Sequence, residues 1–147
     1  MKAYLIEFFD RELLKLKEEI SLYAQEQDLW VVSSGISNSA GNLVLHLMGN
    51  LNHFIGATLG NTGYVRQRDL EFSNKDVPRA ELLERLDETR QVVSTTLQDF
   101  DPASFEHPFP LEKHGQVVSN GYMLLHLLTH LNYHLGQVNY HRRLIGG

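Results

Sequence analysis

Residues 119–147, at the C-terminal end of the sequence, read SNGYMLLHLLTHLNYHLGQVNYHRRLIGG. Ser119 is a candidate N-cap, because its hydroxyl can accept a hydrogen bond from an N–H of the first helical turn. The predicted helix runs to Leu144 and ends at Gly146-Gly147, since glycine commonly follows the last turn of a helix. A helix buries its apolar face only against other elements, so this stretch requires partners elsewhere in the chain.

Three more segments predict helices. The first covers about residues 2–27, the second runs from about Ser39 to Leu59 and stops at Gly60-Asn61, and the third opens at Pro78 and runs to about Phe100. In the first and third segments, apolar residues recur at helical spacing, which places them on one face. These residues are Leu5, Phe9, Leu13, Leu16, Ile20 and Tyr23 in the first segment and Leu82, Leu86, Val93, Leu97 and Phe100 in the third.

Two long connections join these helices. Residues 61–77 show no sustained periodicity, and residues 101–118 are proline-rich with a short extended piece around Gln116–Val118. No convincing set of strands is present, so the pattern predicts one all-α domain over residues 1–147, built as a four-helix bundle. The connections permit a crossover between the second and third helices, while the order and handedness of the helices stay open.

Composition restricts the class of protein. The formal net charge is −5 and no Lys/Arg cluster is present, which argues against nucleic acid as a partner. No apolar run is long enough to span a membrane, and Glu7 and Asp10 interrupt the N-terminal apolar stretch, so we expect a cytoplasmic protein without a signal peptide. Because Cys is 0, any thiol chemistry must use a thiol that a substrate brings.

Histidines in the fourth helix carry a possible metal site. His126, His130 and His134 are spaced by four, so successive imidazoles lie one turn apart on the helix surface. Two imidazoles placed in this way can both reach one metal ion. His130 and His134 form the favoured pair, and His126 could replace His134, since the spacing is the same.

The second helix offers a third ligand. His46 lies on an apolar stripe, with Asn50 and His53 one and two turns further on. Together with the pair on the fourth helix, His46 would complete a three-histidine site with an open coordination position, the arrangement of catalytic zinc. Gln137 and Asn50 are the expected hydrogen-bonding partners of the ligating imidazoles.

The alternative is that the histidines are structural. A single histidine on an apolar helix face commonly hydrogen-bonds to a neighbour in the core. His53 and His141 are expected at the surface or beside the site, and His107 and His114 in solvent. A ferritin-like di-iron site requires Glu-x-x-His pairs, and the second and fourth helices contain no glutamate.

The same stretches resemble the DinB-like (DNA-damage-inducible) bacterial family. His130-Leu-Asn-Tyr-His134-Leu-Gly-Gln137 is similar to its H-x-x-x-H-x-G-Q signature, and residues 42–51, NLVLHLMGNL, to its helix-2 motif. Residues 66–72, RQRDLEF, and residues 79–83, RAELL, are similar to a sub-branch of small DinB-like proteins. The resemblance covers the chain from about Asn42 to its end.

This resemblance implies an up-down-down-up bundle with one divalent metal ion, zinc or nickel, held by His46, His130 and His134. It also implies a homodimer and a small-molecule substrate. Family members with known activity transfer low-molecular-weight thiols, and others are described as metal-dependent hydrolases. Related thiol-dependent isomerases use a glutamate within the H-x-x-x-H pair of ligands. This chain has histidine at both positions, His130 and His134, which argues against that activity.

Two arginines between the second and third helices have alternative roles. Arg66 and Arg68 could hold a substrate carboxylate near the entrance of the site. They could equally be exposed, or be structural partners of Glu71. The sequence therefore predicts an enzyme that activates water or a thiol, with a non-catalytic metal-binding or structural bundle as the alternative.

Overall fold

A computed structural model describes residues 1–146, so Gly147 of the predicted helix end lies outside the described residues. The described chain is all-helical and contains no strand, only isolated bridges between Pro108 and Ser119 and between Lys113 and Gln116. Its α-helices are α1 (Lys2–Leu22), α2 (Ala40–Leu51), α3 (Thr58–Gly60), α4 (Arg68–Ser73), α5 (Arg79–Asp99) and α6 (Asn120–Ile145). The π-helical segment Asn52–Ala57 joins α2 to α3, and 3₁₀ turns cover Glu26–Trp30 and Pro102–Ser104.

Ser119 acts as the predicted N-cap of its helix, and Ser39 caps α2 in the same way. The Ser39 and Ser119 hydroxyls accept hydrogen bonds from the N–H groups of Asn42 and Tyr122 at 3.2 and 3.0 Å. Asn61 adopts a left-handed conformation (φ 51°) and ends the run that begins at Ala40. The caps explain why the starts and ends of these helices agree with the sequence pattern.

The first helix is shorter than the sequence predicts. It ends at Leu22 rather than near residue 27, because Tyr23 is extended and the next residues form a 3₁₀ turn. The Arg79 guanidinium donates a hydrogen bond to the Tyr23 carbonyl at 2.7 Å. This tertiary contact, which no local pattern records, satisfies a carbonyl at the helix end.

The long helices enclose one apolar core. α1 packs against α5 and α6, and α2 packs against α5, α6 and α4. The side chains expected on the inner face of the first helix, Leu5, Phe9, Leu13, Leu16, Ile20 and Tyr23, are all buried. Within residues 1–146, no helix combines the length and apolarity needed to cross a bilayer.

The connection over residues 61–77 contains a helix that the sequence analysis did not predict. Helix α4 is six residues long, which is too short to show a helical period. Tertiary contacts hold it against α2: the buried Asn42 amide donates to the carbonyls of Glu71 and Asn74 at 3.0 and 2.8 Å. This docking places Glu71 beside α2.

Candidate metal centre

Helices α2 and α6 bring three histidines together. The Nε2 atoms of His46 and His130 are 3.2 Å apart, and ligand atoms of His46, His130 and His134 all lie within 4.8 Å of one another. Tetrahedral ligation at 2.0–2.1 Å separates ligand atoms by roughly 3.3 Å. The His46–His130 pair already has that separation, so the three-histidine group could hold one metal ion.

His46 is buried on α2 and held by a carboxylate. Its Nδ1 lies 3.0 Å from Glu71 Oε1. Since an ionised carboxylate only accepts hydrogen bonds, Nδ1 carries a proton, and in the neutral ring Nε2 is the nitrogen with the lone pair. That lone pair is directed towards His130, which is the orientation that a metal ligand requires.

Glu71 is in turn fixed by Arg66. The guanidinium donates to both carboxylate oxygens, with Nε 2.9 Å from Oε2 and NH2 3.0 Å from Oε1. Burial opposes ionisation of Glu71, but the hydrogen bonds from His46 and Arg66 outweigh it and lower its pKa. The carboxylate is therefore charged at neutral pH and keeps the His46 proton on Nδ1.

Gly49 makes room for this carboxylate. A Cβ at position 49 would overlap Glu71 Oε2, so any larger residue would displace Glu71. From the sequence, Glu71 was expected only as a structural partner of the arginines. A signal was available in hindsight: Gly49 lies one turn after His46 on the same face of α2, where an absent side chain leaves space.

His134 has a similar arrangement with a neutral partner. Its Nδ1 lies 2.7 Å from Gln137 Oε1, one turn further along α6. The carbonyl oxygen accepts the Nδ1 proton, which again leaves Nε2 as a lone-pair donor. Burial lowers the pKa of His134, against the hydrogen bond to Gln137, which raises it.

His130 is the third member of the group. Burial is the main cause that lowers its pKa to about 4, and the neighbouring His134 and His46 add to it. The imidazole is therefore neutral at physiological pH, as metal ligation requires. Its Nδ1 is buried and has no hydrogen-bond partner among the described residues.

The remaining predicted partners lie elsewhere. Asn50 is buried, and its Oδ1 has no hydrogen-bond partner within residues 1–146. The Arg68 guanidinium lies over the Phe72 ring, 5.3 Å from its centroid, while Arg66 is engaged with Glu71. For His126, which is not in the three-histidine group, burial lowers the pKa.

His141 belongs to a separate, buried cluster. Its Nε2 donates to the Val31 carbonyl at 2.8 Å, so its Nδ1 accepts from the Tyr23 hydroxyl at 2.6 Å. Both ring nitrogens are thus satisfied by the protein, which is a structural role. His53 packs against the Phe54 ring, and His107 and His114 are exposed as expected.

A groove of about 600 Å³ reaches the histidine group between the loop of residues 33–38 and α6. His134 and Gln137 form part of its wall, together with Leu43, Tyr133 and Tyr140. None of the described residues that line it is an aspartate, glutamate, lysine or arginine. The groove is within the size range of small-molecule sites.

Comparison with known proteins adds a family. The model of a family described as "Protein of unknown function (DUF1572)" matches residues 5–147, which is nearly the whole chain. No curated protein matches the sequence.

Proposed function

The chain belongs to the DUF1572 family, and from its site we propose that it is a metal-dependent enzyme of the DinB-like type. In this proposal, His46, His130 and His134 hold one divalent ion, and the four long helices α1, α2, α5 and α6 form an up-down-down-up bundle. The substrate is a small molecule that enters by the groove at His134. The reaction is the transfer of a low-molecular-weight thiol or a hydrolysis.

The observation that carries the proposal is the convergence of lone pairs. His46 and His134 each use Nδ1 for a protein acceptor, Glu71 and Gln137, which leaves their Nε2 atoms free. His130 Nε2 lies 3.2 Å from His46 Nε2. Three imidazole nitrogens thus converge on one point, which suits a metal ion.

The number of ligands favours catalysis over a purely structural site. Structural zinc sites commonly have four protein ligands, whereas catalytic sites have three and an open position. Among the described residues, the metal-binding group contains three side chains. His134 is also part of the groove wall, so a substrate can approach the site.

The proposed ion is zinc or nickel, as the family resemblance implies. Imidazole ligands suit both ions, as they also suit copper and iron. Such an ion lowers the pKa of a water or thiol bound to it and so supplies a nucleophile at neutral pH. The chain contributes no thiol of its own, since it has no cysteine.

The protein's own residues prepare the site. Glu71 holds the His46 ring in one orientation, and Arg66 keeps Glu71 charged and in place. Gln137 does the same for His134. The interaction of Arg68 with a substrate carboxylate stays a prediction. We also propose the cytoplasm as the location, because small thiols stay reduced there.

The experiment is a cobalt titration of the metal-free protein, followed by addition of cysteine or N-acetylcysteine as the thiol probe. We expect one Co²⁺ per chain with a tetrahedral or five-coordinate absorption spectrum, and a sulfur-to-cobalt charge-transfer band when the thiol is added. His46→Ala should abolish the spectrum, whereas His107→Ala, on an exposed loop, should leave it unchanged.

The outcomes separate the candidates. A spectrum that changes with pH but not with thiol favours hydrolysis. A cobalt spectrum that responds to neither thiol nor pH indicates a closed, non-catalytic site. Failure to bind cobalt, nickel or zinc would overturn the proposal and leave a histidine-rich structural bundle.

A further inference from the structure

The two walls of the groove at His134 differ in chemistry. The loop over residues 33–38 forms one wall and contributes three serines and an asparagine to the lining. Helix α6 forms the other wall with Tyr133 and Tyr140, and Leu43 adds an apolar side chain from α2. A molecule in the groove would therefore meet hydroxyl and amide groups on one side and aromatic rings on the other.

The groove offers no fixed charge to a ligand. Its lining, taken within the described part of the chain, includes no carboxylate, ammonium or guanidinium group. The two histidines in the lining are already engaged: His134 Nδ1 is bonded to Gln137, and both ring nitrogens of His141 have protein partners. A charged group that left water for this groove would find no counter-charge, and such burial is strongly unfavourable.

The arginines near the site stand outside this lining. The Arg143 guanidinium lies over the Tyr140 ring, 5.1 Å from its centroid, and Arg143 is exposed. It therefore occupies one face of Tyr140, while water and salt screen its charge. Arg66 and Arg68 do not line the groove either. A substrate carboxylate held by Arg68 would thus lie outside the groove.

Tyr133 is the aromatic wall residue next to the metal centre. Its ring centroid lies 5.4 Å from that of His134, with the two rings at 73°. Tyr133 is 65% exposed, so much of its ring is available for contact with a ligand. Aromatic rings that stack gain free energy beyond the area they bury. A planar ligand stacked on Tyr133 would hold its substituents close to the open position of the ion.

We propose that the groove binds the uncharged, aromatic part of a substrate, with Tyr133 as the stacking surface. The substituent that reacts then lies beside the metal centre, and the hydroxyl groups of the loop face the polar edge of the ligand. The inference rests on the proposed function, because it takes the groove as the route to the ion, and it adds the class of substrate. The ion itself can accept an anionic group, so the restriction applies to the part of the substrate in the groove.

The first test compares 2-naphthol, 2-naphthoate and 2-naphthylmethylammonium, which share the ring system and differ in charge. Each is titrated into the isotope-labelled chain at pH 7 and followed by NMR, in chelator so that the carboxylate cannot bind through a metal ion. We expect 2-naphthol to bind at least about tenfold more tightly than either ion. The largest amide shifts should fall in residues 33–38 and around Tyr133. Equal or tighter binding of an ion, or shifts confined to another surface, would overturn the proposal.

Two variants connect this preference to single residues. Tyr133→Ser removes the stacking surface and should weaken 2-naphthol binding by about threefold or more. The matched control is Tyr4→Ser on α1, where the tyrosine is equally exposed (63%), and it should leave binding unchanged. Ser37→Arg supplies a counter-charge on the exposed loop, so 2-naphthoate should bind at least about tenfold more tightly. An equal loss in both tyrosine variants, or no gain in Ser37→Arg, would overturn the groove as the binding site.

The zinc-loaded chain tests whether the groove and the metal centre act together. A hydroxamate group binds zinc through its oxygens, so 2-naphthohydroxamic acid can occupy both sites at once. It should bind at least about tenfold more tightly than acetohydroxamic acid, and Tyr133→Ser should remove most of that gain. Equal affinity of the two acids would overturn the assignment of the groove to the substrate. A chain that binds no zinc would overturn the proposed function, while the titrations in chelator would still decide whether the groove selects neutral aromatic molecules.

Discussion

Helix α6 carries two groups of histidines that differ in how their ring nitrogens are used. His130 and His134 meet His46, and in that group the partner of His46 Nε2 is another member of the group, His130 Nε2, at 3.2 Å. His141, seven residues beyond His134, has both nitrogens hydrogen-bonded, to Tyr23 and to Val31. Both groups are at least partly buried, so burial alone does not distinguish them.

This difference indicates which histidines have a ring nitrogen available for a ligand. The ring nitrogens of a buried imidazole normally each have a hydrogen-bond partner, as they do at His141. In the three-histidine group, Glu71 and Gln137 each bind Nδ1 of one histidine, His46 and His134, so the Nε2 atoms of these rings are directed to the group. The hydrogen-bond inventory of each ring therefore predicts which group binds metal and which group only stabilises the fold.

The largest effect should come from removing a ligand. His46→Ala or His130→Ala should weaken zinc binding by more than about 100-fold, beyond the effect of changing a partner of a ligand. Metal content by mass spectrometry and competition with a chromophoric chelator measure this. His126 has the same spacing to His130 as His134 has, but the His126→Ala variant should keep one metal ion per chain. If His126→Ala instead loses the metal and His134→Ala retains it, His126 rather than His134 is the second ligand on α6.

The next effect should come from the carboxylate that holds His46. Glu71→Gln removes the charge that keeps the His46 proton on Nδ1, so zinc affinity should fall about 10–100-fold. The matched control is Glu19→Gln, because Glu19 also pairs with an arginine, Arg142, at 2.7 Å but lies away from the metal centre. Equal zinc affinity in the two variants would show that Glu71 does not support zinc binding.

Most of the helical framework was predictable from the sequence. Long periodic segments and serine caps are local features of the sequence, which is why the observed bounds of α5 and α6 agree with the predicted ones within about a residue. The three histidines were also predictable as candidates, because spacing by four on one helix is a local property. Which residue joins His130 and His134 as the third member of the group depends on packing, although His46 was the favoured choice from the sequence.

The carboxylate support of the site was not predictable in the same way. Glu71 lies in a helix of six residues, where no period can develop, and its position depends on Asn42 and on the space at Gly49. The early end of α1 depends on Arg79, more than fifty residues away. Long-range hydrogen bonds of this kind leave no periodic signal in the sequence.

A smaller effect, on stability alone, should distinguish His141. His141→Phe keeps the volume but leaves the Tyr23 hydroxyl and the Val31 carbonyl without their partner. The free energy of unfolding should fall by about 1–3 kcal/mol. Urea unfolding of the metal-free chain measures this, and zinc affinity should be unchanged. Zinc affinity that falls as far as in His46→Ala would contradict the separation of the two groups.

The smallest effect concerns pH in the metal-free protein. Burial lowers the folded-state pKa of His130 to about 4, below its ordinary value of 6.5. Between these values the unfolded chain binds a proton that the folded chain does not, so the free energy of unfolding falls as pH falls from 6.5 towards 4. Well above pH 6.5 the imidazole is neutral in both states and contributes no pH dependence.

Urea unfolding at several pH values from 7 to 5 tests this in chelator, above the range in which most carboxylates titrate. One histidine contributes a slope of at most about 1.4 kcal/mol per pH unit, and partial exposure of His130 reduces it. His130→Gln should flatten the profile, whereas His107→Gln, on an exposed loop, should not. An unchanged slope in His130→Gln would mean that the folded protein accepts the proton readily. The contrast between a neutral His130 in the three-histidine group and the fully hydrogen-bonded His141 would then be lost.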